Sequence, residues 1–329
     1  MKIGMNLPVM VPGLNRDRIL EWSRRIDAGP YASLAAGERI TFPNPEVMVT
    51  LSAAAAVTER VQITFCVLVL PMHNAVRIAK QVATLDVISA GRVTLGVGVG
   101  GREEDYVAVG AEYDKRLWRR MEEQVAIMRR AWAGEAVVEG ALRPVEPAPI
   151  QTGGPELLAG SMFPRSIRRA ARWANGISGF SFGPTEAEVA NQFDLARSAW
   201  KQQGRDSEPR LVTSFWFALG ERARDQLDDY LHRYLNFMGA DAARKLAPAV
   251  TTTSASALVD AARMVRDLGC DELILVPTTS DPEDEADTYQ GNERVVFYRD
   301  WITDNRLGVQ HALNFIYRRC KQFFYVHHH

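Results

Sequence analysis

Ala79-Lys80-Gln81-Val82-Ala83-Thr84-Leu85-Asp86-Val87-Ile88-Ser89-Ala90-Gly91-Arg92 reads as a helix and its stop, and Leu95-Gly96-Val97-Gly98-Val99-Gly100 as the strand that follows. Apolar residues recur at helical spacing through 75–89, and Gly91 stands where the chain needs a left-handed cap. The strand at 93–99 is apolar on both faces, as a parallel strand covered by helices must be. Its glycines are not the dinucleotide-binding fingerprint, because they fall inside the strand and no acidic residue follows at the required distance.

Outward from this unit the same rhythm repeats. Short apolar runs lie at 2–7, 31–36, 61–70, 93–99, 156–159, 176–180, 210–219 and 271–276. Between and after them, helical periodicity covers 14–28, 46–58, 75–89, 116–132, 164–174, 185–203, 221–238 and 255–268. Asn44-Pro45-Glu46 and Pro184-Thr185-Glu186 supply helix starts, and Gly269 supplies a stop. Parallel strands need helical crossovers, and eight of them close on themselves. The pattern therefore predicts α/β architecture: a single (β/α)8 TIM barrel over 1–280, with a doubly wound open sheet as the alternative. Two connections are long, the Pro- and Gly-rich 133–155 and the segment 239–254; each is either a lid or a surface excursion. A C-terminal extension, 281–329, begins with an acidic run and ends in an aromatic and basic segment. Its Leu307, Phe315, Phe323 and Phe324 call for burial against the barrel or a second subunit.

Composition excludes several function classes. Among 329 residues, 39 Lys and Arg stand against 40 Asp and Glu, so nothing invites nucleic acid or an anionic membrane surface. No stretch reaches transmembrane length. Cys66, Cys270 and Cys320 are far apart, without metal-ligand spacing, which predicts a reduced, cytoplasmic protein with no metal. His327, His328 and His329 resemble an affinity-tag remnant and carry no metal argument.

The 79–92 helix running into the glycine strand resembles the signature of the bacterial luciferase-like monooxygenases, a flavin- and F420-dependent oxidoreductase family. The family pattern is AK-x-x-A-T-L-D-x-L-S-x-G-R followed by L-G-x-G-x-G. Lys2-Ile3-Gly4, Gly37-Glu38-Arg39-Ile40, Pro71 and Arg168-Arg169-Ala170-Ala171-Arg172 before Asn175-Gly176 fit the same pattern. The resemblance spans about residues 1–280 and leaves the tail uncovered. It implies reduced FMN, supplied by a separate flavin reductase, and O2 acting on a small organic substrate. The alternative cofactor is coenzyme F420, which carries hydride on the same barrel; a non-catalytic flavin-binding barrel is the reading from another class. The resemblance also implies a homodimer, and Ser52-Ala53-Ala54-Ala55-Ala56 allows close helix approach on the side that family dimers bury.

In such a barrel, chemistry sits on the loops after the strands' C-terminal ends. Those positions here hold many small and apolar residues and few charges, the kind of surface that suits a flavin ring. Gly160-Ser161-Met162-Phe163-Pro164-Arg165-Ser166 joins a strand end to a helix start, and Gly160, Ser161, Arg165 and Ser166 are candidate phosphate ligands; capping of the helix is the plainer role for the serines. The resemblance places the phosphate on this loop and on the one after strand four. Leu70, Gly98, Gly100, Glu38 and Glu104 are further cofactor candidates. Arg39 stands where the resemblance implies histidine in the sugar-oxidising F420 branch, so it is read as a cation for a flavin or substrate anion, or as a rim ion pair. His73, the only histidine near a strand end, is the acid–base candidate. The resemblance further implies a bulge in strand three, often with a non-proline cis peptide, behind the ring. Asp86 and Arg92 are read as structural, an ion pair or cap between helix three and strand four.

Overall fold

The computed structural model describes residues 1–279. Eight parallel strands close into one barrel in sequence order, β8 returning to pair with β1. The strands are β1 (Lys2–Asn6), β2 (Ser33–Ala36), β3 (Gln62–Val69), β4 (Val93–Gly98), β5 (Glu156–Gly160), β6 (Gly176–Ser178), β7 (Arg210–Phe217) and β8 (Glu272–Pro277). Helices fill the crossovers: α1 (Arg16–Ala28), α2 (Val47–Ala56), α3 (Ala75–Ile88), α4 (Glu103–Ala108), α5 (Leu117–Trp132), α6 (Pro164–Ala170), α7 (Glu186–Gln202), α8 (Ala223–Leu235), α9 (Ala240–Leu246) and α10 (Ala255–Asp267). The extension at 281–329 and its expected docking lie outside the described residues.

Local sequence explains the boundaries. Asn15, Asn74, Thr185 and Ser254 accept backbone N–H groups at the starts of α1, α3, α7 and α10. At α2 the cap is Glu46, which accepts from Val49 N, rather than Asn44. Gly91 and Gly269 take positive φ after α3 and α10, as their positions predict. The 239–254 connection is not an open loop: it carries α9 and a 3-10 turn at Ala247–Ala249.

Two cores result. A large one lies between barrel and helices, while Ala35, Leu158, Val212 and Ile274 fill the barrel interior beneath Cys66. Below that layer, Arg210 pairs with Glu156 and Glu272, and Ser33 donates to Glu272 at 2.5 Å. This polar plug closes the N-terminal end and leaves the opposite mouth for chemistry.

Asp86 and Arg92 do not pair with each other. Asp86, fully buried, accepts from Gln151 N (3.0 Å) and Gln151 Nε2 (2.7 Å), anchoring the end of the 133–155 connection. Arg92 instead donates to carbonyls of Ala55, Thr58, Val61 and Ser89, tying the end of α2 to the start of β3. The ion-pair expectation fails because each group finds backbone or amide partners nearer to hand. Asp86→Ala should therefore lower unfolding stability by about 1–3 kcal/mol in denaturant titration. Cofactor affinity per folded molecule should be unchanged; a variant of normal stability that had lost the cofactor would overturn the assignment.

Candidate active site

At the C-terminal mouth, β3 loses register against β4 between Phe65 and Leu68, and the Cys66–Val67 peptide is cis. Both features stand where the resemblance implies them. The bulge explains the glycines of β4 and β5. A Cβ on Gly96 would lie 2.2 Å from the Phe65 carbonyl oxygen. On Gly98 and Gly160 it would meet the Val67 methyls at 3.0 and 3.1 Å. Gly100, at φ +62, lies similarly close to Val69. The glycine strand is thus the mould in which the bulge sits.

Cys66 forms part of the barrel floor, its Sγ 3.6 Å from Ser214 Oγ and 3.8 Å from Ser178 Oγ. Burial pushes its thiol pKa up, so it stays protonated at neutral pH. Beyond Gly160, the Ser161 hydroxyl is buried with no hydrogen-bond partner. Ser166 Oγ donates to Phe163 O at 2.8 Å and accepts from Phe163 N at 3.3 Å, so it is committed to the start of α6. Arg165 is exposed.

Across the mouth, Glu38 and His73 meet, although 35 residues separate them. Glu38, almost fully buried, accepts from Val69 N at 2.7 Å and binds His73 Nε2 at 2.8 Å. Gln124 donates to the His73 carbonyl at 2.7 Å. The imidazole is therefore fixed in orientation while a quarter of its side chain (24%) stays accessible, the geometry an acid–base group requires. Leu70 is wholly buried in the main core; its carbonyl accepts from His73 N at 3.0 Å.

Arg39 is buried and held by Asp105, its Nε 3.2 Å from Oδ2, with half-exposed Glu104 at 3.3 Å. Asp105 also accepts from Ile40 N, Thr41 N and Thr41 Oγ1, so it fixes the whole β2 loop. These donors hold its carboxyl below the usual range against the opposing effect of burial. Burial first, and then the nearby charge of Arg102, lower the Arg39 pKa, with Asp105 opposing. Arg39 thus makes a rim ion pair, one of the two roles read for it in the sequence. Asp105, its main partner, carries no sequence signal that separates it from neighbouring Glu104.

An aromatic wall completes the mouth. Phe180 and Phe182, just after β6, pack edge-on against Trp216 of β7 at 4.5 and 5.6 Å between centroids. Tyr230 and Tyr234 of α8 extend the wall. Among the described residues, no group of three or more His, Cys, Asp or Glu is placed to hold a metal, and no helix is long and apolar enough to cross a membrane.

The profile of the luciferase-like monooxygenase family matches residues 1–289. The chain belongs to that family. An uncharacterised Mycobacterium tuberculosis protein is 30% identical over 170 residues, 50% of this chain and 59% of that one. The 2,5-diketocamphane 1,2-monooxygenase 1 of Pseudomonas putida is 30% identical over 149 residues, 42% of this chain and 40% of that enzyme. The chain thus spans about half the length of the curated relatives it matches. Monooxygenase RslO1 of Streptomyces bottropensis superposes with a TM-score of 0.72 at 23% identity, over 91% of this luciferase-like chain and 98% of its own. An F420-dependent secondary alcohol dehydrogenase superposes at 0.68 and 15%, over 85% and 95%. At these identities the two structures bear on the fold alone.

Proposed function

We propose that this luciferase-like barrel is a monooxygenase that uses reduced FMN and O2 to oxygenate a small organic substrate. The observation that carries the reading is the wall of Phe180, Phe182, Trp216, Tyr230 and Tyr234 over a mouth whose other side is built of glycines. Reduced FMN would supply the two electrons that activate O2 for insertion of one oxygen atom. The residues suit that cofactor: Gly98 and Gly160 leave the Val67 bulge bare beside the floor, and the orphaned Ser161 hydroxyl awaits an acceptor such as phosphate. The aromatic wall keeps water from the reacting centre. His73, oriented by Glu38, holds or gives a proton at Nδ1, the nitrogen not committed to the carboxylate.

The same His73–Glu38 pair favours a second reading, F420-dependent hydride removal from an alcohol, which needs a base for the hydroxyl proton. Reaction with O2 separates the two. In the FMN reading, protein-bound reduced flavin mixed with O2 returns to its oxidised spectrum more slowly than free flavin in stopped flow. Phe182→Ala, which opens the wall, should speed that return. Identical kinetics with and without protein would remove the monooxygenase reading.

A further inference from the structure

We propose that Arg39 and Arg102 together form a subsite for the carboxylate of a small organic acid, with Phe42 and Tyr234 receiving its apolar body. The inference rests on reading the mouth as a substrate site, and it names the substrate class. Arg102, just before α4, lays its guanidinium 4.6 Å from the Tyr234 ring centroid and 4.0 Å from that of Phe237. Arg39 lies 4.4 Å from Phe42 and 5.7 Å from the same Tyr234. Loops after β2 and β4 and the end of α8 thus bring two cations onto one aromatic ring.

Each cation keeps a donor in reserve. Arg39 spends Nε on Asp105 and Nη2 on Glu104, but its Nη1 is buried with no hydrogen-bond partner. Arg102 Nη2 reaches Tyr234 O at 3.4 Å, while its Nε is buried and equally unpartnered. A buried donor left without a partner is destabilising, and more so when charged. Two such donors beside one ring call for an acceptor that the chain does not provide. Asp105 is saturated by the β2 loop, and Glu104 reaches only Nη2. A carboxylate offers two oxygens to planar N–H forks, and the aromatic faces suit an apolar or flat body.

A substrate carboxylate and an acidic group on a cofactor side chain share this chemistry, and the proposal commits to the substrate. The test is a ligand-observed NMR titration of the full chain with benzoate and with benzamide, its neutral isostere. Benzoate should bind at least about ten-fold more tightly than benzamide, with or without FMN. Arg102→Met should erase that preference, and Arg102→Lys should retain part of it. Equal binding of the two probes, binding of neither, or a preference that survives Arg102→Met would overturn the proposal. Displacement of benzoate by FMN would also overturn it, giving the pair to the cofactor. Should Arg102→Met not fold, the two probes on the unsubstituted chain still decide. Flavin is not needed for the first comparison, so failure of the FMN reading leaves this result interpretable.

Discussion

Gly160→Asp is expected to weaken reduced FMN binding about 100-fold or more while leaving far-UV circular dichroism unchanged. The new side chain would start toward Val67, one residue before Ser161 and the proposed phosphate, and like charges about 4 Å apart cost about 4 kcal/mol near a protein surface. The contacts of an added Cβ are Val67 methyls at 3.1 and 3.3 Å and the Val97 carbonyl oxygen at 3.3 Å, distances that small shifts can relieve. Gly160→Ala, which adds the bulk without the charge, should therefore cost much less affinity. Equal losses in the two variants would mean that crowding at Val67, not charge, is responsible. Affinity within a few-fold of the unsubstituted protein for both would take this loop out of the site.

Gly96→Ala should produce the largest loss of stability, about 3 kcal/mol or a chain that does not fold. Its Cβ would stand 2.2 Å from a backbone oxygen of the β3 bulge, and neither strand can retreat without breaking the barrel ladder. Gly101→Ala is the matched control: nothing lies within 4 Å of its Cβ and its φ is not positive. Urea denaturation of the two variants should separate them by most of that figure. Similar midpoints would show that the bulge does not depend on the glycine mould.

The barrel was legible because its evidence is periodic and local. The 79–92 helix, its Gly91 cap and the glycine strand each announce themselves within a few residues. Where a local signal misled, the cause is visible. The 239–254 segment reads as a loop, yet Ala240–Leu246 forms a helix on alanine-rich sequence. Nothing local explains why Gly98, Gly100 and Gly160 lack side chains, because the Val67 and Val69 side chains that crowd them come from a strand some thirty to ninety positions earlier. Glu38 and His73 each stand out at a strand end, but nothing in sequence says that they touch. Asp105 was lost among Glu103 and Glu104: three adjacent acids look alike until the first turn of α4 points one of them inward to the β2 loop. The Arg39–Arg102–Tyr234 cluster joins two loops and the end of α8, and no spacing encodes it.

The central claim is that the glycine-moulded mouth of this luciferase-like barrel holds reduced FMN. The most direct measurement is an anaerobic titration of the purified chain with reduced FMN, oxidised FMN and F420, followed by calorimetry. The account predicts one saturable site, tightest for reduced FMN and lost in Gly160→Asp. Saturable binding of F420 with none of reduced FMN, or affinity for reduced FMN that Gly160→Asp leaves untouched, would contradict it.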